Sequence, residues 1–265
     1  MDLTQAKHAF ITGGASGIGL GIADALVKRG VPVTIADVDA DSIQAVVAER
    51  KGRLRGQVLD VRDRAAWIVA KAEAEAALGP VDILVANAGI GSEGKELSDS
   101  DPECFDRIMA INVGGIFNAI SAFGSDLRAR RRGHVVITGS VAGLAVPNIP
   151  RLGSYAAAKS AVVALGEALR PEMAAYDVGV STLCPGMVAS NLGRNTARMG
   201  GRPKPLTIET RGGGPVYGPP MDPAEVGEIT VRGIERNDTY IITHPQEWTE
   251  VEGRWHALQA AFTEG

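Results

Sequence analysis

"FITGGASGIGLGIADAL", residues Phe10 to Leu26, decides how the rest of the chain is read. Gly13, Gly17 and Gly19 fall as G-x-x-x-G-x-G, which matches neither the G-x-G-x-x-G dinucleotide fingerprint nor the G-x-x-x-x-G-K-[ST] phosphate loop. The flanks supply what the spacing does not. "HAFIT" before the glycines reads as a strand, and Ile18 to Arg29 as a helix. The glycines therefore occupy a strand-to-helix turn, where unpaired backbone N–H groups and the helix dipole attract an anion. A pyrophosphate suits such a turn, because a Cβ would block the approach of backbone to phosphate and of helix to sheet. A tight turn of small residues without a ligand would carry the same glycines.

Outward from this turn the same rhythm repeats. "PVTIA", "RGQVLD", "VDILVA", "GHVVITGS" and "GVSTLCP" are short apolar runs that alternate with longer Ala-rich segments such as Ala65 to Leu78. That order predicts an α/β fold, a doubly wound parallel sheet of Rossmann type with about seven strands and helices on both faces. Strands apolar throughout predict burial on both faces. The 265 residues show no composition break and are read as one domain over 1–265. The rhythm breaks at Asn191 to Pro220, rich in Gly, Pro and Arg, which reads as a substrate lid. A helix opening at "DPAEVG", a last strand "TYIITHP" and an amphipathic C-terminal helix over about 247–262 complete the chain.

The totals exclude several functions. A net charge of -4, from 27 basic and 31 acidic residues, gives no basic field for a nucleic-acid backbone. "MDLTQAKHAF" has no charged region followed by an apolar run and cleavage site, and no apolar stretch approaches bilayer-spanning length. A soluble, cytoplasmic protein without a membrane partner is expected. Cys104 and Cys184 are too few for a disulfide framework and read as reduced thiols, Cys184 in a buried strand. His244 and His256 lie in the tail far from any Cys or His partner, so no metal is expected. "RARRRG", Arg128 to Gly133, reads as a solvated helix end.

Two further constellations carry chemistry. "PVTIADVD" ends in Asp37, about twenty residues beyond the glycines, where a dinucleotide fold sets a carboxylate on the adenosine ribose. There it would repel a 2'-phosphate, and neither Ser16 nor Val38 supplies a compensating cation, so NAD is favoured over NADP. In "GSYAAAKSAVVALGEAL", Tyr155 and Lys159 stand four apart on one helix face. A nearby ammonium favours the phenolate and lowers the Tyr pKa, which makes the pair a proton donor and acceptor. Y-x-x-x-K also recurs by chance on helix surfaces.

Taken in order, TGGASGIG at Thr12–Gly19, Asp60-Val61, Ala86-Asn87-Ala88-Gly89, Asn112 in "INVGG", Ser140 in "ITGSVAG", Tyr155, Lys159 and Pro185-Gly186 resemble the short-chain dehydrogenase/reductase family. The resemblance runs from about residue 8 to about residue 244, and the ordered set is more specific than any single member. It implies that Gly13, Ser16, Gly17, Ile18 and Gly19 cradle the cofactor and that Asp60 and Val61 meet its adenine. Asn87 and Gly89 would support cofactor and central strand, while Pro185, Gly186 and Val188 face the nicotinamide. Ser140 would hold the substrate oxygen while Tyr155 exchanges its proton. Lys159 would hold the nicotinamide ribose and depress Tyr155, and Asn112 would anchor a relay water.

Three departures stand out. Ala86 replaces a frequent second Asn, which leaves one hydrogen bond to be found elsewhere. Ser190 stands where the family often has a Thr, and its hydroxyl is expected at the carboxamide. "PNIPRLG" lengthens the spacing between Ser140 and Tyr155 and is expected to bulge toward the substrate.

The implied activity is an NAD-dependent interconversion of a secondary alcohol and a ketone by hydride transfer. "YIITHP" and the Gly-rich lid add a narrower resemblance to aryl-alcohol Cα-dehydrogenases, acting on a bulky aryl alcohol. The rivals are an NADPH-dependent 3-oxoacyl-carrier-protein reductase and a non-catalytic dinucleotide-binding sensor. Lid cations Arg194, Arg198, Arg202, Lys204 and Arg211 face only Glu209, and either solubilise the loop or attract an anionic substrate or the cofactor phosphates. Trp248, Val251, Trp255, Leu258 and Phe262 share one face of the tail, which covers the core or a second subunit. Relatives of this kind imply a homodimer or homotetramer.

Overall fold

Seven strands line up in parallel in the order β3-β2-β1-β4-β5-β6-β7 in a computed structural model that describes residues 1–50, 52–145, 151–199 and 219–263. The strands are β1 (Ala9–Thr12), β2 (Val33–Asp37), β3 (Leu54–Val58), β4 (Ile83–Ala86), β5 (Gly133–Thr138), β6 (Val178–Cys184) and β7 (Tyr240–Ile242). Parallel pairing requires a crossover after each strand, and the Ala-rich segments supply it. They form α1 (Gly17–Lys28), α2 (Ala40–Glu49), α3 (Arg64–Leu78), α4 (Pro102–Met109), α5 (Gly115–Arg130), the short α6 (Val141–Leu144), α7 (Gly153–Ala174) and α9 (Pro223–Arg236). A short α8 (Leu192–Arg198) follows β6, and α10 (Trp248–Thr263) ends the chain. Asp39, Asp63, Asp101 and Asp222 each cap a helix by accepting backbone N–H bonds, as their place before the helical runs requires.

β1, β4 and β5 are buried at every residue and β6 at all but Gly179. The expectation of burial on both faces fails for β3 and β7. Arg55, Gly56 and Val58 are exposed, as are Tyr240 and Ile242, because these strands close the two edges of the sheet. The chain order reverses between β1 and β4, and neither adjoining crossover covers the gap at their C-terminal ends. That gap is the switch-point crevice where ligands of such sheets bind.

α1, which carries the glycine turn, is fixed by α9. A Cβ on Gly21 would lie 2.0 Å from the Pro223 carbonyl oxygen, and one on Gly227 would lie 2.1 Å from that of Gly21. Two backbones meet there with no side chain between them.

Two sequence expectations need correction. The continuous helical stretch Pro102–Arg130 is long and apolar enough to cross a membrane by length and composition, with a mean hydropathy of 1.4 in its most apolar window. Half of that window is buried, and along the whole stretch Ile108, Ile116, Phe123 and Leu127 pack into the core. The arginine run is not a solvated end alone. Arg130 and Arg132 grip the buried Asp82 at 2.8 and 3.1 Å, and Arg131 pairs with Asp177. The tail expectation resolves unevenly: Val251 is buried on Val141 and Ala145, while Trp248, Trp255, Leu258 and Phe262 are exposed.

The glycine contact makes a direct prediction. Gly21→Ala should destabilise the protein by about 1–3 kcal/mol by forcing α1 and α9 apart. Urea unfolding at fixed pH measures it, and an unchanged midpoint would mean the helices separate freely.

Candidate active site

The glycine turn lies at the crevice as its flanks require. Gly13 has φ +63°, a conformation that disfavours a side chain, and a Cβ on Gly19 would lie 2.3 Å from the Gly13 carbonyl oxygen. Ser16 begins α1 without a side-chain capping bond, which leaves the first-turn N–H groups of Gly17, Ile18 and Gly19 to an anion. Asp37 ends β2 beside this turn. Its carboxylate accepts from the Ala15 N–H and the Asp39 N–H, each at 3.2 Å. A backbone cradle for phosphates next to a fixed carboxylate fits a dinucleotide.

α8 adds a cation that the sequence reading does not place. Arg198 forms an ion pair with Asp39, two residues beyond Asp37. Of the other lid cations, Arg194 lies on α8 in the open, whereas Arg202, Lys204 and Arg211 fall outside the described residues. Thr196 joins α8 to the crevice by accepting from the Gly91 N–H at 2.7 Å. The expected lid is thus described only at its two ends, and the expected bulge at 146–150 lies outside the described residues.

Asp60 is gripped at both oxygens by Arg62, which holds its carboxyl below the ordinary carboxylate range. The buried Val61 fixes the same turn, its carbonyl accepting from Trp67 Nε1 at 3.0 Å and Asn118 Nδ2 at 2.9 Å. Asn87 stitches the strand ends together. Its N–H donates to Thr12 Oγ1 at 2.9 Å, its amide donates to the Thr12 carbonyl at 3.0 Å, and its Oδ1 accepts from Thr138 Oγ1 at 3.2 Å. Thr12 and Thr138 thus satisfy the amide beside Ala86.

Asn112 sits in a π-helical turn, Ala110–Gly114, between α4 and α5. Fully buried, it accepts from the Ile90 N–H and donates to the Ile90 carbonyl, both at 2.8 Å, closely backed by Gly89. Its side chain therefore anchors the loop after β4.

Ser140, Tyr155 and Lys159 converge across α6 and α7. Ser140 caps α6, accepting from the Ala142 N–H at 3.1 Å and donating to the Pro185 carbonyl at 3.3 Å. Lys159 is buried, donates to the Thr138 carbonyl at 2.7 Å and lies 5.7 Å from the Tyr155 ring centroid. Burial brings its ammonium down to about 8. The sequence reading has Lys159 depressing Tyr155, and the structure differs. Burial raises the phenol above its ordinary value, and a hydrogen bond with Ser140 opposes the rise. The Lys159 charge is directed at a backbone carbonyl instead.

On the far side, Val188 bridges to Met221, and Ser190 stands against Gly17 at the phosphate turn. The Gly186 N–H donates to His244 Nδ1 at 3.2 Å. Beneath Gly186 lies Glu247, buried, with neither carboxyl oxygen hydrogen-bonded among the described residues. Burial, aided by the Glu250 charge, pushes it up to about 7. His244 and Glu247 are the residues that sequence reasoning missed. The signal was available, because in a parallel sheet "YIITHP" must end beside "TLCPG" if their strands are neighbours.

A Tyr–Lys pair facing a serine at the crevice of a doubly wound sheet marks a Rossmann-type oxidoreductase. The chain belongs to the short-chain dehydrogenase family, whose model, described as "short chain dehydrogenase", matches residues 7–200. It is similar to the C alpha-dehydrogenase of Sphingobium sp. strain SYK-6, with 32% identity over 269 residues, 96% of this chain and 86% of that protein. Among solved structures, a short chain dehydrogenase/reductase from Burkholderia phymatum in complex with NAD superposes with a TM-score of 0.87. Identity there is 28%, over 98% of this chain and 97% of the other. The apo form of LigD from the same Sphingobium strain superposes with a TM-score of 0.79 at 30% identity, over 95% of each chain.

The buried acid has a consequence for stability. Glu247 moves from an ordinary 4.5 to about 7 on folding, so the native state holds its proton more tightly than the unfolded chain. Stability should therefore fall as pH rises from about 4.5 to about 7, by about 3 kcal/mol relative to Glu247→Gln. Urea unfolding of both proteins across that range checks it, and a pH-independent difference would contradict the buried position.

Proposed function

We propose that the protein is an NAD-dependent dehydrogenase interconverting a secondary alcohol and a ketone, with a bulky aryl alcohol as the substrate class. The observation that carries this reading is the convergence of Ser140, Tyr155 and Lys159 beside the glycine turn. When bound, NAD supplies hydride transfer at the carbinol or carbonyl carbon. Ser140 orients the reacting oxygen and Tyr155 exchanges its proton. Because burial raises the phenol, Tyr155 is a proton donor for ketone reduction at neutral pH, and alcohol oxidation speeds up on the alkaline side. Lys159, at about 8, remains an ammonium near neutrality and holds the ribose hydroxyls. Asn112 keeps the loop after β4 in register with this site.

Asp37 supports NAD over NADP, since its fixed carboxylate would repel a 2'-phosphate. Arg198 is the nearby cation that bears on this choice, and Asp39 already pairs with it. Asp37 also argues against the NADPH-dependent 3-oxoacyl-carrier-protein reductase, and four filled catalytic positions argue against a non-catalytic sensor. Similarity to the Sphingobium C alpha-dehydrogenase supports the aryl-alcohol substrate class. The lid at 191–220 is read as the source of substrate choice. The exposed Trp248, Trp255, Leu258 and Phe262 favour a homo-oligomer, and the protein is read as cytoplasmic.

Two measurements test this reading. Tyr155→Phe should lower kcat by about a hundredfold to ten-thousandfold while NADH binding, followed by fluorescence, is retained. A variant keeping most of its kcat would discard the mechanism. Comparing both coenzymes on one aryl alcohol should favour NAD by about tenfold or more in kcat/KM. Equal efficiency would show that Asp37 does not face the ribose.

A further inference from the structure

Buried polar side chains in folded proteins have partners, and one that lacks them calls for an explanation. Glu247 is such a group. It is 5% exposed, and both its carboxyl oxygens are shut off from solvent without a hydrogen bond among the described residues. It belongs to the 3-10 turn Pro245–Glu247 between β7 and α10, held by its own N–H on the His244 carbonyl. The carboxyl presses on the turn after β6. A Cβ on Gly186 would lie 2.2 Å from Glu247 Oε1 and 2.7 Å from His244 Cγ, so only glycine fits. Pro185, the preceding residue, carries the carbonyl that receives Ser140 Oγ.

The charged groups around this carboxyl can be named element by element. From α10, Glu250 acts on it with like sign, while Arg254 is directed at the Gly143 and Leu144 carbonyls at 3.1 and 3.4 Å. From the turn itself comes His244, whose pKa burial lowers, so it is neutral near pH 7, and whose Nδ1 accepts from Gly186. Glu225 at the start of α9 acts on His244 and adds only negative charge. Beyond Pro185 lie Ser140 and the buried Lys159, which titrates at about 8. None of these described groups neutralises an ionised Glu247, and the neutral carboxyl prevails below about pH 7.

An oxidised nicotinamide is a cation and a reduced one is neutral. We propose that Glu247 senses this difference through the Pro185–Gly186 turn, releasing its proton to solvent when the oxidised ring is bound and keeping it when the ring is reduced. The proposal rests on the dinucleotide reading above and on that turn facing the nicotinamide. It needs no contact between carboxyl and cofactor, because a unit charge acts across a buried turn with less screening than in water. By linkage, a cation that favours the carboxylate is bound more tightly once the carboxylate has formed. The affinity for oxidised NAD should then rise with pH through the titration of Glu247, and the affinity for NADH should not.

The test is calorimetric binding of oxidised NAD and of NADH to the protein, from about pH 5.5 to about pH 7, a unit below the Lys159 titration. In the native protein the ratio of the two dissociation constants should shift toward oxidised NAD by about fivefold across this range. Repeating the titration in two buffers of different ionisation enthalpy should show proton release with oxidised NAD alone. Glu247→Gln, which mimics the neutral acid, should bind both forms with a pH-independent ratio and release no such proton. Glu250→Gln removes the repelling charge and should move the response to lower pH. A flat ratio in the native protein, or the same response in Glu247→Gln, overturns the proposal while leaving the dehydrogenase reading intact. If neither nucleotide binds, the dinucleotide reading falls and takes the proposal with it.

Discussion

The bond between Thr12 and Asn87 is the constraint from which the site follows. β1 and β4 are neighbours whose crossovers lead away in opposite directions, so their C-terminal ends are left facing open space. Backbone N–H groups at such ends would go unpaired. The Thr12 hydroxyl accepts from both Asn87 and Ala88, and the Asn87 amide returns to Thr12 and reaches Thr138. Thr138 then offers its carbonyl to Lys159. One hydrogen-bonded chain thus runs from the strand beneath the glycine turn to the amine beside Tyr155, through buried or half-buried groups. Low local dielectric makes each of these bonds strong and each loss costly.

Much of this was legible in the sequence because it depends on local pattern. Gly13, Gly17 and Gly19 declare their turn through their flanks, and Tyr155 and Lys159 declare a shared face through their spacing. Asp37 was legible as the end of a strand in a known order. What could not be read depends on where distant segments meet. Asn112 offered a side chain whose commitment to Ile90 depends on a π turn that spacing does not reveal. The direction of the Tyr155 shift depends on how deeply α7 buries the phenol, and the rescue of Asp82 by two arginines depends on the far end of β4. His244 and Glu247 stand some sixty residues beyond the turn they support, and it is the pairing of β6 with β7 that brings them beside it.

The last helix shows how far such non-local support extends. Val251 packs on Val141 and Ala145, and Arg254 binds the carbonyls that end α6. Ser140 caps α6, so this candidate catalytic residue is braced by the last helix. The support of the candidate site therefore includes elements that lie outside the ordered motifs.

Val188 and Met221 form a parallel bridge, with Ala189 donating to the Met221 carbonyl and Met221 to that of Met187. The chain thus leaves the sheet after β6 and is clasped again before α9, while Thr196 and Arg198 on α8 tie the outgoing limb to Gly91 and Asp39. A segment closed at its neck places no tension on the body it leaves, and lengthening it costs only logarithmically in entropy. A change of length between α8 and Met221 therefore falls on a connection already closed at both ends, and the sheet need not fold anew.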